Sequence, residues 1–190
     1  MTAKKTVVLF SDGFEEIEFV TIVDVLRRAG VEVTTAAPRA GMVRGSRGIS
    51  MQADRSVEGL RAVDFDAVVL PGGAANARTL AEDLDCQRLI KEARAADLWL
   101  GAICAAPIAL KNVGLDASVR LTSHPSVRQE LQSFTYVEDR VVRDGRLLTS
   151  RGPGTAMEFA LALVEQLLSK EKSQEVARPM LVNQYASQDL

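Results

Sequence analysis

This chain is poor in cysteine and histidine: Cys86, Cys104 and His124 are the only such residues in 190. The two thiols lie 18 residues apart and form no C-x-x-C pair, so the spacing suggests neither a zinc site nor a disulfide framework. Long apolar runs are missing as well. Val7–Phe10 is the only one near the N-terminus, too short for the roughly 7–15-residue apolar region of a secretory signal. No run approaches the about 20 residues of a membrane span. Nor is there an excess of one charge. With 23 basic and 25 acidic side chains the net charge is −2, which offers nothing to a phosphate backbone, and no nucleic-acid partner is expected. These shortages lead us to expect a cytoplasmic protein, with reduced thiols, no membrane contact, no metal and no cofactor.

What remains is an ordinary globular composition, 47% hydrophobic and 25% charged, sufficient for one domain over residues 1–190. Short apolar runs alternate with helical patterns. Thr6–Phe10, Val31–Ala37, Asp66–Leu70 and Leu98–Ile103 read as strands, with further strands expected at Thr135–Val142 and Arg146–Thr149 around the turn pair Asp144-Gly145. Helices are expected at Glu15–Ala29, with Phe19, Ile22, Val23 and Leu26 on one stripe, and at Ala75–Glu82, Cys86–Ala95 and Ala105–Val113. A long helix to about Ser169 opens at the capping box Thr155–Glu158. The glycine-bearing segment 38–56 reads as a turn-rich excursion with hairpin character, and the tail beyond Ser169 as a terminal helix. Such alternation implies an α/β fold with a mostly parallel sheet covered on both faces.

In open parallel sheets ligands bind at the carboxyl ends of the strands. Three loops qualify here: Ser11–Glu16, Pro71–Gly73 and Ala102–Pro107. Cys104 directly follows a strand and precedes a helical pattern, where free N–H groups and the helix dipole favour a thiolate. The alternative is a buried, inert cysteine. Gly72 and Gly73 can present N–H groups to an anionic oxygen, or form an ordinary turn. Among Glu15, Glu16 and Glu18, two are expected to be solvated or to serve the helix dipole. Glu18 turns to the rim if Glu15 faces solvent, and a partly buried carboxyl there would exchange protons near pH 7. His124 reads either as a base for Cys104 or as structural.

Taken together, Gly13–Glu18, Val69–Gly73, Ala102–Pro107 and Leu148–Thr155 closely resemble the ThiJ/PfpI superfamily, in the branch of the Parkinsonism-associated protein deglycase and bacterial YajL. The resemblance implies a flavodoxin-like three-layer sandwich that forms a homodimer. It implies a nucleophilic Cys104 on a strained elbow, hydrogen-bonded by protonated Glu18, with His124 assisting. Gly72, Gly73 and Ala105 would supply backbone N–H groups, and Arg28 and Arg47 would lie at the dimer interface or pocket rim. The implied activity is cofactor-free conversion of methylglyoxal and glyoxal to hydroxy acids, with deglycation of their adducts. A redox sensor with chaperone action is the non-enzymatic alternative, using the same oxidisable cysteine. Superfamily proteases carry histidine directly after the nucleophile, where this chain has Ala105, so a peptidase or amidase is the weaker expectation. Gln52 stands where the human-type branch has an interface cysteine, and Cys86 is read as structural.

Overall fold

The structure is a computed structural model and describes residues 3–182. The ends of the expected 1–190 domain, and the tail beyond Val182, lie outside the described residues. The apolar runs become strands of one seven-stranded sheet. In chain order the elements are β1 (Lys5–Leu9), α1 (Glu16–Arg28), β2 (Glu32–Ala37), β3 (Gly41–Arg44), β4 (Ser50–Ala53), β5 (Arg55–Ser56), β6 (Ala67–Leu70), α2 (Ala74–Glu82), α3 (Leu84–Ala95), β7 (Trp99–Ile103), β8 (Arg120–Leu121), β9 (Thr135–Tyr136), β10 (Val141–Asp144), β11 (Leu147–Ser150), α4 (Ala156–Leu167) and α5 (Lys170–Ala177). The sheet order is β10-β11-β7-β6-β1-β2-β5, and only the β10–β11 pair is antiparallel.

Side chains alternate across a strand with period two, and both faces of these strands are apolar. Val7, Leu9, Val68 and Leu70 pack with Leu80, Leu89 and Ile90 of α2 and α3. Val8, Phe10, Val69 and Ile103 pack with Phe19, Ile22 and Leu26 of α1 and Phe159 and Leu163 of α4. The result is a three-layer α/β sandwich. The few aromatics are concentrated where they matter: Phe10, Phe14 and Phe19 meet with ring centroids 4.3–5.2 Å apart. That cluster seats the first turn of α1 on the end of β1. Among the described residues no helix is long and apolar enough to cross a membrane.

Several elements differ from the sequence expectation. The helix expected at Ala105–Val113 is a short 3-10 helix, Ala106–Leu110. Its bonds reach back only three residues, from Ile108 N–H to Ala105 O and from Lys111 N–H to Ile108 O, and Pro107 at its start is compatible with either kind of helix. The strand expected at Thr135–Val142 is divided. β9 pairs with β8 in a separate small sheet, while β10 joins the main one. The expected capping box is not formed. Thr155 Oγ1 turns back to accept from the N–H groups of Arg151 and Gly152, and Glu158 pairs with Arg140. The last long helix stops at Leu167, and Ser169 instead caps α5 by accepting from Lys172 N–H. The hairpin within 38–56 is present as β3–β4, and Asp144-Gly145 does join β10 to β11.

Candidate active site

The ends of β1, β6 and β7 lie side by side, so the three loops expected to carry chemistry meet at one rim. Cys104 is the first residue past β7. Its backbone is held on both sides: its N–H donates to Ser150 O at 3.0 Å, and its carbonyl accepts from His124 N–H at 2.8 Å. Between these anchors its φ is +64°, a left-handed conformation that costs an L-residue roughly 1–2 kcal/mol. The side chain packs against both core clusters yet stays partly exposed, at the seam between the two layers.

Glu18 is on α1, fully buried. Its Oε2 accepts from Gly72 N–H at 2.7 Å, while Oε1 has no hydrogen-bond partner of good geometry. The Cys104 side chain and Glu18 Oε2 both border Gly72, near enough for each group to shift the proton affinity of the other. Burial pushes the Glu18 carboxyl up, Gly72 N–H pulls it down and the Glu15 charge pushes it up again, leaving it at about 7. The thiol is pushed up to about 12, by burial first and then by the charge of Glu18, against the N–H groups of Gly73 and Ala105 that face it. This corrects the expectation of an intrinsically lowered thiol. The helix dipole invoked for it is small, because only the five-residue 3-10 helix Ala106–Leu110 follows. Cys104 and Glu18 instead compete for one proton, and the pair titrates as a unit.

Gly72 lies between the two groups. A Cβ there would collide with both Cys104 Cβ and Glu18 Oε2. Its N–H is committed to Glu18, so of the expected N–H set Gly73 and Ala105 face the sulfur and Gly72 holds the carboxyl. Gly73, at φ +95°, touches the backbone of Gly13 to Glu15, where no side chain fits. His124 is joined to Cys104 through its backbone. Its exposed ring bonds Ser126 instead, with Nδ1 2.8 Å from Ser126 Oγ. Arg28 is half exposed and closes the end of α1 on Asp24 at 2.6 Å. Arg47 touches this region through its N–H, which donates to Glu16 Oε1. Cys86 is buried in α3, its thiol pushed up by burial and then by Asp83.

Two residues escaped the sequence reading. Glu15 is the N-cap of α1, accepting from Glu18 N–H, but Glu16 is not solvated. It is 5% exposed and accepts from Ser46 Oγ, Arg47 N–H and Ile49 N–H, which ties the β3–β4 turn to α1. The other is Asn76, in the first turn of α2 and fully buried. An asparagine inside a helical pattern is a weak signal of such a role, since its propensity is poor there. No group of His, Cys, Asp and Glu among the described residues could hold a metal ion.

An α/β sandwich with a strained cysteine at a strand end and a buried carboxyl beside it is a cysteine-centred site on a flavodoxin-like fold. The chain belongs to the DJ-1/PfpI family, whose model matches residues 4–166. It is 43% identical to Protein dj-1beta of Drosophila melanogaster, an alignment covering 95% of this chain and 98% of that one. It is 34% identical to Glutathione-independent glyoxalase DJ-1 of Schizosaccharomyces pombe, covering 93% and 97%. The crystal structure of Drosophila DJ-1beta superposes with a TM-score of 0.91, covering 95% and 99% of the two chains.

Proposed function

We propose that this chain is a cofactor-independent glyoxalase that acts on methylglyoxal and glyoxal through Cys104. The observation that carries the reading is one strained, partly exposed thiol and one buried carboxyl, at about 7, that both border Gly72. A general acid–base group works best with its pKa near the working pH. The name of the fission-yeast relative supports the same activity.

In this reading Glu18 takes the thiol proton as sulfur adds to the aldehyde carbon and passes it to the resulting oxyanion, which forms a hemithioacetal and leaves Glu18 as the carboxylate. The N–H groups of Gly73 and Ala105, which face the sulfur, stabilise negative charge there. Glu18 then carries the proton lost from that carbon to its neighbour through an enediolate, which leaves a thioester of the hydroxy acid. Water cleaves the thioester and regenerates the thiol. One water is added per dicarbonyl and no electrons leave, so no redox cofactor is required. Deglycation of dicarbonyl adducts would use the same addition chemistry. A reducing compartment such as the cytoplasm would keep Cys104 available. Lactate formation from methylglyoxal tests the reading: wild type is expected to form it and Cys104→Ala none. Wild type that forms no lactate overturns it.

In the second reading Cys104 is a redox sensor. It is favoured by the contrast between the partly exposed Cys104 and the buried Cys86. Mild peroxide is then expected to add oxygens at Cys104 alone, as read by intact mass and peptide mapping, and oxidation at Cys86 first would count against it. We also propose a homodimer. Ile17, Val20 and Ile49 are 58%, 44% and 55% exposed, on α1 and on the turn that Glu16 ties to it. Sedimentation at micromolar concentration is expected to show twice the chain mass, and a monomer would exclude it.

A further inference from the structure

We propose that Asn76 is a positioning residue for the Cys104–Glu18 pair, acting through the loop that aims Gly72 N–H at Glu18. Its amide is saturated. Oδ1 accepts from Ser11 N–H at 2.7 Å and from Ser11 Oγ at 2.9 Å. Nδ2 donates to Pro71 O at 2.8 Å and to Gly72 O at 3.0 Å. An asparagine side chain has two donor hydrogens and two acceptor lone pairs, and protein groups engage all four here. The side chain is fully buried.

What those bonds join is specific. Ser11 opens the loop after β1, and Pro71 and Gly72 form the loop after β6. Asn76 therefore bridges the two adjacent strand ends on either side of the site. Gly72 O is shared between Asn76 Nδ2 and Glu15 N–H, so that peptide is gripped from the helix that carries Glu18 and from α2 at once. Gly72 N–H is the one donor on Glu18 Oε2. Pro71 O and Gly72 O flank the Gly72 residue, so holding both fixes the direction of the N–H between them. Two further backbone approaches leave the loop little freedom: Gly73 against Gly13–Glu15, and Gly13 against Ala75. These are steric. Asn76 supplies the hydrogen bonds that choose one orientation within that space.

The proposal rests on the reading that Cys104 and Glu18 exchange a proton, and it is independent of the substrate. Its test reads thiol reactivity. The pH dependence of Cys104 alkylation by iodoacetamide is measured for wild type, Asn76→Ala and Asn76→Ser. Both variants are neutral, so neither places a new charge beside Glu18. Loosening Gly72 N–H weakens the bond that stabilises the carboxylate, and the midpoint of the lower limb is expected to rise by about one unit in Asn76→Ala. Asn76→Ser keeps one hydroxyl donor and is expected to rise less. In a Glu18→Gln background Asn76→Ala is expected to shift nothing, because the coupled group is gone. Thr35→Val removes the part-buried hydrogen bonds between the Thr35 hydroxyl on β2 and Asp54 and is the control for general destabilisation, with an unmoved midpoint. Should Asn76→Ala fail to fold, Asn76→Ser decides alone. A wild-type midpoint in the folded variants overturns the proposal, and so does an equal shift in Thr35→Val or a shift that persists without Glu18. Absence of lactate from wild type would sink the glyoxalase reading and leave this midpoint shift standing.

Discussion

Glu16 and Glu18 lie two residues apart on the same helix, both buried, and their surroundings give them opposite chemistry. Glu16 accepts from one hydroxyl and two backbone N–H groups of the β3–β4 turn. Burial works to raise its pKa, but Arg47 N–H and the other donors outweigh it and hold the carboxyl below its ordinary value. Glu18 has Gly72 N–H alone, on one oxygen, and burial wins. The difference is a supply of donors. A well-supplied buried carboxylate is a structural anion, whereas a poorly supplied one keeps a proton that it can trade.

That contrast is easily put at risk. The largest expected effect is catalytic: under the glyoxalase reading, Glu18→Gln lowers kcat/KM for lactate formation by about 10²–10⁴-fold, since an amide cannot carry the proton. Glu16→Gln, measured on the same folded preparations, is expected to stay within a few-fold of wild type. Equal losses in both variants would erase the distinction.

Next in size is the pH dependence of stability. Glu18 is raised from 4.5 to about 7 in the folded chain, so the unfolded chain releases that proton first as pH rises. Its contribution is full below pH 4.5 and is lost by about pH 7, about 3 kcal/mol in all. Chemical denaturation across that window is expected to show this fall in wild type and not in Glu18→Gln. A flat wild-type difference would mean that Glu18 titrates normally.

For Glu16 the sign reverses. Its lowered pKa stabilises the fold above the unfolded value, and that gain disappears as pH falls through the folded one. Glu16→Gln is therefore expected to cost about 1.5–3 kcal/mol at neutral pH, the range for hydrogen bonds to a charged group. The cost should shrink in acid, which urea midpoints at two pH values will show. The smallest effect belongs to the exposed pair at the end of the same helix. Arg28→Ala removes its bond to Asp24 and is expected to change stability by less than about 0.5 kcal/mol in thermal melts.

The main features of the fold were legible because they are local. Short, nearly continuous apolar runs marked β1, β6 and β7, and the stripe through Phe19, Ile22 and Leu26 marked α1. Errors fell where a local pattern had two outcomes. Pro107 sits at the start of what reads as a helix, a position that tolerates proline in an α-helix and in a 3-10 helix alike. Thr155 and Glu158 have the spacing of a capping box, but Thr155 turned back to the N–H groups of Arg151 and Gly152 and Glu158 paired with Arg140, 18 residues away. At the site, Cys104 and Glu18 were readable from motif and helix position. A Glu18 carboxyl that exchanges protons near pH 7 was readable too; the raised thiol was not, because its surroundings depend on which groups the fold packs against it.

The amino-acid order alone determined that a cysteine would stand at the end of a buried strand, that glycines would stand at the neighbouring strand end, and that several carboxyls would crowd the first turn of α1. These follow from apolar periodicity and turn chemistry within a few residues. Only the tertiary structure decided which glycine holds the labile carboxyl, that Glu16 is instead a well-supplied anion, and that Asn76 grips the loop beside Glu18. Each of those outcomes rests on a partner far along the chain: Gly72 is 54 residues from Glu18, and Ser11 is 65 from Asn76. A buried polar group takes its chemistry from the donors and acceptors that folding brings to it, and no local pattern records them.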